Sequence, residues 1–440
     1  MDEIQAQLNT VLGLRRSSSL VSLAGSINTK KVYRNFCKGL FDTGVTAEMI
    51  KSKEKEIHNM LKPPDSATSS QIDGSSNADQ IQLPESGTPD LETSPLPSNQ
   101  NRLRFPRVLP PVDFLVGPLM LGAAKAGDIK RLKSTLGYVR NINFVDDTRA
   151  TALHHAASGG YNDIVQLLLS KGASIEATNK DNNTPLHLAA RYGHTSTVEL
   201  LLSKGASIEA MDIDNNTPLH YAARYDHTST VELLLSKGAS IEATDNDSNT
   251  PLHYAARYGH NSTVEPLLSK GASIEVTNKY NNTPLHYAAR YGHTSTVELL
   301  LSEGASIEAT DNDNNTPLHY AARYGRTSTV ELLLSKGASI EATDKDNNTP
   351  LHYAARYGHT STVELLLSKG ASIEVTNQYN NTPLHYATRY GHTSVVELLL
   401  SKGASIEVTN TDNYTPLQLA RRYDKTKIVK LLERAEATNF

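Results

Sequence analysis

From residue 151 to 423 the apolar positions fall in blocks that repeat the same two patterns in the same order. The stretch Thr217–Asn249 shows one block. Leu219, Ala222 and Ala223 stand at helical spacing behind Thr217, a good N-cap, and Pro218. Proline fits a first helical position because its missing N–H has no partner to lose there. The polar break Tyr225-Asp226-His227 ends this short helix. Val231, Leu233, Leu234 and Leu235 then give a wide apolar face to a second helix over about 228–236. Gly238, just past its end, suits a left-handed cap. Residues 240–249 are polar and turn-rich, and predict a projecting, hairpin-like finger. The unit reads helix, turn, helix, finger.

The unit is strictly periodic. Thr-Pro-Leu-His starts at Thr184, Thr217, Thr250, Thr283, Thr316, Thr349 and Thr382, always 33 residues apart. Looser copies begin at Thr151, with Ala152 in the proline position, and at Thr415, ending in Gln418. Two short helices cannot bury their apolar faces alone, so neighbours must stack. Such an array builds extended surface rather than an enclosed pocket.

These residues resemble the ankyrin repeat family. The resemblance rests on Thr-Pro-Leu-His, the following Ala-Ala, Gly193-His194 and Gly259-His260 between helices, the Leu-Leu-Leu run, and Gly205-Ala206 after it. It implies an all-α, ankyrin-type α-solenoid of about ten units over 117–434, starting near 118, 151, 184, 217, 250, 283, 316, 349, 382 and 415. Ala123-Ala124 marks the degenerate first unit. Terminal units must face water, and Lys425, Lys427, Lys430 and Arg434 suit a C-terminal cap. The resemblance further implies non-catalytic binding of protein partners, as a scaffold or adaptor.

The chain departs from the family pattern in three ways. Asn182, Asn215, Asn281, Asn314, Asn347, Asn380 and Asn413, and Ser248 in one copy, replace the usual finger glycine. Asn tolerates the left-handed conformation, so the finger is expected to survive. Glu176, Glu209, Glu242 and their equivalents replace the usual Asn or Asp before the finger. Pro266 stands where sister helices have Leu200, Leu233 or Leu299. A helix-interior proline costs about 3 kcal/mol, so a kink or weak joint is expected, and Pro266→Leu should raise the melting temperature.

An Arg-Tyr pair closes each first helix: Arg191-Tyr192, Arg224-Tyr225, Arg257-Tyr258, Arg290-Tyr291, Arg323-Tyr324, Arg356-Tyr357, Arg389-Tyr390 and Arg422-Tyr423. The resemblance places these positions on the concave wall that contacts ligands. At about 10 Å per layer the eight pairs make a ladder roughly 70 Å long, built from residue types favoured at binding hot spots. Two bland alternatives stand beside this: the pairs stack only on each other, or the finger carboxylates Asp181, Asp214, Asp247, Asp313, Asp346 and Asp412 neutralise them. The Tyr after each motif His, Tyr221, Tyr254, Tyr287, Tyr320, Tyr353 and Tyr386, reads as half-buried packing.

Variation concentrates at the finger tips: Lys180-Asp181, Ile213-Asp214, Asn246-Asp247, Lys279-Tyr280, Asn312-Asp313, Lys345-Asp346, Gln378-Tyr379 and Thr411-Asp412. The tips Lys180, Asp181, Ile213, Asp214, Lys279, Tyr280, Lys345, Asp346, Gln378 and Tyr379 are the second set of candidate contacts. Drift at solvated loop tips is the competing reading. Tyr280 and Tyr379 lie 99 residues apart, as three duplicated units would place them.

Fifteen of the sixteen histidines lie in the array, but they recur one or two per unit with no compact ligand cluster. The family geometry makes the motif His a hydrogen-bond partner of its Thr cap. No nucleophile elbow or Gly-rich phosphate loop is present, so neither enzyme activity nor any cofactor or metal is expected.

Composition narrows the setting. The net charge of −4 over 440 residues argues against a nucleic-acid-gripping polycation. A single cysteine, Cys37, excludes an internal disulfide framework and suggests a reducing compartment, so an intracellular, cytoplasmic or nuclear location is expected. No signal-peptide order and no membrane-length apolar run appear, so no membrane insertion is expected. Residues 1–62 carry helical stripes and read as a small helical segment of unknown family. Residues 63–116 are rich in Ser, Pro and Thr and read as a disordered linker, and 435–440 as a tail. Ser18, behind Arg15-Arg16, and Thr88 and Ser94, each before proline, match kinase patterns. The array is expected to be monomeric. Two alternatives are carried: a specificity or regulatory subunit docking on a catalytic partner through 1–62, and nucleic-acid binding by the Arg-Tyr ladder, which the acidic fingers oppose.

Overall fold

The computed structural model describes residues 112–438. The segment 1–62, most of the expected linker and the candidate phosphosites Ser18, Thr88 and Ser94 lie outside the described residues. Twenty α-helices run through the described residues, with no strand; a single antiparallel bridge joins Val145 and Thr151. Contacts divide the chain into two units. One contains residues 112–119 and 133–140, where the Arg140 N–H donates to Asp113 Oδ1 at 2.7 Å. The other, Met120–Leu132 with Asn141–Phe440, carries the regular repeats. The helix Val112–Lys125 begins inside the expected linker and takes Pro118 into its interior.

In the regular units the first helix begins at the threonine, as in Pro218–Arg224, and the second follows the polar break, as in Thr228–Ser236. First helices pack on the first helices of neighbouring units and second on second. The core repeats with them: Leu219, Ala222, Ala223, Val231 and Leu234 are buried, with close counterparts in each layer. Leu233 and Leu235 are only half-buried, so the second helix buries a narrower face than its Leu-Leu-Leu run predicts. The last helix, Thr426–Thr438, is longer than its sisters and exposes Lys427, Lys430 and Arg434, as a cap requires.

The finger asparagines adopt positive φ, from 55° at Asn380 to 62° at Asn215, and Ser248 joins them at 62°. The substituted glutamates tie layers together: Glu176 Oε1 accepts the Ser207 N–H at 2.8 Å, and Glu209 accepts that of Ser240 at 2.7 Å.

One layer carries a defect. Thr388 replaces the alanine of the preceding layers (Ala355, Ala322 and so on), is 0% exposed, and its Oγ1 has no hydrogen-bond partner among the described residues. A buried hydroxyl left unpaired costs about 1–3 kcal/mol. Thr388→Ala is therefore expected to raise stability by about 1 kcal/mol, read as a higher thermal midpoint; an equal or lower midpoint would show that the hydroxyl finds a partner.

Candidate functional site

Three sets of side chains recur on the first helices and fingers. The innermost is the histidine row. Thr184 N–H donates to His187 Nδ1 at 3.1 Å, and the Thr184 hydroxyl lies 2.9 Å from the same nitrogen. His187 Nε2 reaches the Asn216 carbonyl of the next unit at 3.0 Å. Nδ1 must accept and Nε2–H must donate, so the ring is neutral. Burial is the main cause that pushes His154, His253, His286 and His352 down to about 4. His187, His220, His319 and His385 are lowered for the same reason. This row is structural, as the sequence predicts. The second row also bridges layers: His227 Nε2 donates to the Arg191 carbonyl at 2.9 Å, and His293 to that of Arg257. Arg326, in the same place, uses Nε on the Arg290 carbonyl. Among the described residues no three His, Cys, Asp or Glu gather as a metal-sized group.

The second set is the Arg-Tyr ladder. Arg191 Cζ lies 5.8 Å from the Tyr192 ring and 5.3 Å from Tyr225 in the next unit. Arg224 repeats this between Tyr225 and Tyr258, Arg257 between Tyr258 and Tyr291, and Arg290 between Tyr291 and Tyr324. Arg323, Arg356 and Arg389 continue it through Tyr357, Tyr390 and Tyr423. Arg422 turns away to Tyr414. Each guanidinium from 191 to 389 lies near the ring of its own tyrosine and that of the next unit, and each contact is worth about 0.5–1 kcal/mol at exposed sites. The arginines from 191 to 356 are half-buried, while Tyr192 and Tyr390 are exposed.

The alternative in which finger carboxylates pair with this ladder is not found among the described residues. The finger ion pairs are made by lysines: Lys279 with Asp247, and Lys345 with Asp313 at 3.7 Å. No carboxylate among the described residues lies within ion-pair distance of the arginines from 191 to 389.

The third set was not singled out from sequence. Asp212, Asp311 and Asp344 are buried at the finger bases, with Asp245 half-buried. Asp212 Oδ1 accepts the N–H groups of Asp214 and Asn216 at 2.9 and 2.8 Å, and its Oδ2 accepts the Tyr221 hydroxyl at 2.7 Å. Tyr254, Tyr320 and Tyr353 donate in the same way to Asp245, Asp311 and Asp344. Burial first, then the hydrogen bond to the carboxylate, raises these phenols well above their ordinary value. The motif tyrosines thus connect ladder and finger: the Tyr221 ring also takes Arg191 at 5.9 Å.

The tips themselves are tied by one backbone bond per layer. The Ile213 N–H donates to Asp181 O at 3.1 Å, Lys279 to Asp247 O, Lys345 to Asp313 O, and Gln378 to Asp346 O. Lys180 donates to Thr148 O. The backbone makes this rail, and the side chains of Lys180, Asp181, Ile213, Asp214, Lys279, Tyr280, Lys345, Asp346, Gln378 and Tyr379 are all exposed, although Lys279, Lys345 and Gln378 also reach an aspartate of the preceding tip.

Stacked helix pairs with repeated side-chain rails define a helical-repeat scaffold that offers open surface. Family models for ankyrin repeats, three copies each, match residues 119–212, 209–278, 263–344, 305–377, 339–410 and 376–439. The chain belongs to the ankyrin repeat family. Ankyrin repeats are in general protein–protein interaction modules and not a catalytic family. The crystal structure of the human ASB11 ankyrin repeat domain is similar at 29% identity and a TM-score of 0.47, covering 51% of this chain and 99% of that one. No curated protein matches. Among the described residues no helix is long and apolar enough to cross a membrane.

Proposed function

We propose that the array is a non-catalytic adaptor or regulator that binds a protein partner through the Arg-Tyr ladder and the finger tips. The observation that carries this is the state of the ladder arginines. Each guanidinium from 191 to 389 lies against its own tyrosine ring and that of the next unit, which restricts its movement, and no carboxylate among the described residues lies within ion-pair distance of it. A pre-oriented guanidinium loses little freedom when it takes a partner's carboxylate or carbonyl oxygens. Tyrosine and arginine together supply area and directional bonds.

Intact protein and the Arg257→Glu/Arg290→Glu/Arg323→Glu variant, each checked for helicity, would be compared as baits. The variant is expected to lose captured partners at least tenfold. Retention of all of them would exclude the ladder as the binding face.

A further inference from the structure

The finger rim is acidic except at two places. In the fingers at 212–214, 245–247 and 311–313 both the base and the tip are Asp. At 278–280 and 377–379 both carboxylates disappear together: Asn278 goes with Tyr280, and Asn377 with Tyr379, 99 residues on. Each of the other fingers in the run of eight keeps at least one Asp.

The loss reaches the ladder. In an Asp finger, Tyr254 links the Asp245 carboxylate, at 2.7 Å, to Arg224, 5.7 Å from its ring, so a negative charge stands behind the arginine. At the exceptional fingers the link reverses. Asn278 Nδ2 donates to the Tyr287 hydroxyl at 3.0 Å, and that ring takes Arg257 at 5.8 Å. Asn377, Tyr386 and Arg356 repeat this at 2.9 and 5.6 Å. At these fingers the base behind Arg257 and Arg356 is a neutral amide. The nearest carboxylates stand one layer back, reached from Tyr287 through Asn249 to Asp245, and from Tyr386 through Asn348 to Asp344. The finger tip is a half-exposed tyrosine (50% at Tyr280, 48% at Tyr379) instead of a carboxylate. Two equivalent stations, each short of both finger carboxylates and carrying an aromatic tip, therefore interrupt a rim that is acidic elsewhere.

We infer that the partner is an acidic, extended protein segment that meets the array at these two stations, through two carboxylate clusters. The inference rests on the Arg-Tyr ladder being the binding face. Three layers at 8–10 Å put the stations roughly 24–30 Å apart. An extended chain spans that distance in about eight residues. Linking two such contacts converts the second into an intramolecular event, so avidity depends on both stations being open.

The test uses the full chain and two labelled peptides, one with a single triglutamate cluster and one with two clusters separated by ten Gly/Ser residues. Anisotropy titrations at low salt should show the two-cluster peptide binding at least tenfold tighter. Asn278→Asp/Tyr280→Asp or Asn377→Asp/Tyr379→Asp should each bring it down to the single-cluster level. Folding of these variants is secured by the sister fingers, which carry the same residues. Conversely, Asp311→Asn/Asp313→Tyr opens a further station and should tighten single-cluster binding. Station variants that bind within twofold of the native chain, or a native chain that binds neither peptide or shows no preference between them, would overturn the inference. A single-stranded oligonucleotide of equal charge that binds more tightly, with the same station dependence, would also overturn it. If station variants are neutral while the triple arginine variant loses its captured partners, the stations fail and the binding face stands. If the triple variant keeps its partners, the face itself fails.

Discussion

The array should lose stability steeply as pH falls from 6.5 toward 4. His154, His253, His286 and His352 are held at about 4 by burial, against an ordinary value of 6.5. A folded-state value below the unfolded one means that the unfolded chain takes the proton first. The stabilisation is complete above pH 6.5 and is lost progressively as pH falls toward 4. The geometry supplies the reason. Protonation puts a hydrogen on Nδ1, where the Thr250 N–H already points at His253 from 3.1 Å, so donor meets donor. Each such histidine loses roughly 1.4 kcal/mol per pH unit, so four together lose on the order of 5 kcal/mol by pH 5.5. Thermal unfolding followed by circular dichroism from pH 7.5 to 4.5 measures this. The chain contains its own control. Gln418 occupies the motif position in the last unit and accepts the Thr415 N–H through Oε1 at 2.9 Å without titrating. His253→Gln/His286→Gln should therefore flatten the pH dependence by about half of that loss. A midpoint unchanged from pH 7.5 to 5, or equal slopes in variant and native chain, would mean that the buried rings do not govern acid stability.

What could be read in the sequence was whatever sits within one unit. Thr-Pro starts, the Ala-Ala pair and the glycine past the second helix are local signals, and the helices Pro218–Arg224 and Thr228–Ser236 fall where they point. The paired Arg-Tyr residues could be named, but not their arrangement. Arg191 meets Tyr225 across 34 residues, a contact that exists only once layers have stacked. Residue type alone does not separate the finger-base carboxylates such as Asp212 from tip aspartates such as Asp214. A usable signal was present nine residues downstream. Asp212, Asp245, Asp311 and Asp344 are each followed by a motif tyrosine, whereas Asn179 and Asn410 precede Leu188 and Leu419; Asn278 and Asn377 also precede tyrosines, and there the phenol donates to Asn249 or Asn348 of the preceding finger. A buried phenol needs an acceptor and a leucine does not. The charge relation between finger and ladder was left open by the sequence for a related reason: two of the tip aspartates, Asp247 and Asp313, are taken by lysines of the next tip, a contact that exists only once layers have stacked.

Pro266 and Asp226 should prove energetically coupled across two layers. The proline, expected to give a kink or weak joint, lies inside Asn261–Ser269, a helix of nine residues like its sisters. Pro266 cannot donate to the Ser262 carbonyl, and the Thr228 hydroxyl of the preceding unit donates there at 3.2 Å. In other layers the corresponding threonine is occupied: Thr195 bonds Thr230 at 2.9 Å, and Thr327 bonds Thr362. Thr228 is loosened from Thr263, whose hydroxyl lies 3.5 Å away, because Asp226 takes over. Asp226 stands where most units have glycine, at φ 60°, and its Oδ1 accepts the Ser262 and Thr263 hydroxyls at 2.6 and 2.8 Å. Asp226→Gly would leave the buried Thr263 hydroxyl to recapture Thr228, stripping the carbonyl that Pro266 exposes. The expected loss is about 2–3 kcal/mol, since hydrogen bonds to a charged group are removed and an acceptor is orphaned. Pro266→Leu restores the N–H, and after losing the Thr228 compensation should gain about 2 kcal/mol. In the Pro266→Leu background, Asp226→Gly should cost about 1 kcal/mol less than in the native one, because the carbonyl no longer depends on Thr228. Thermal midpoints of the four proteins close the cycle. Additive effects, with no coupling between the two sites, would show that Asp226 and Pro266 are independent departures from the repeat.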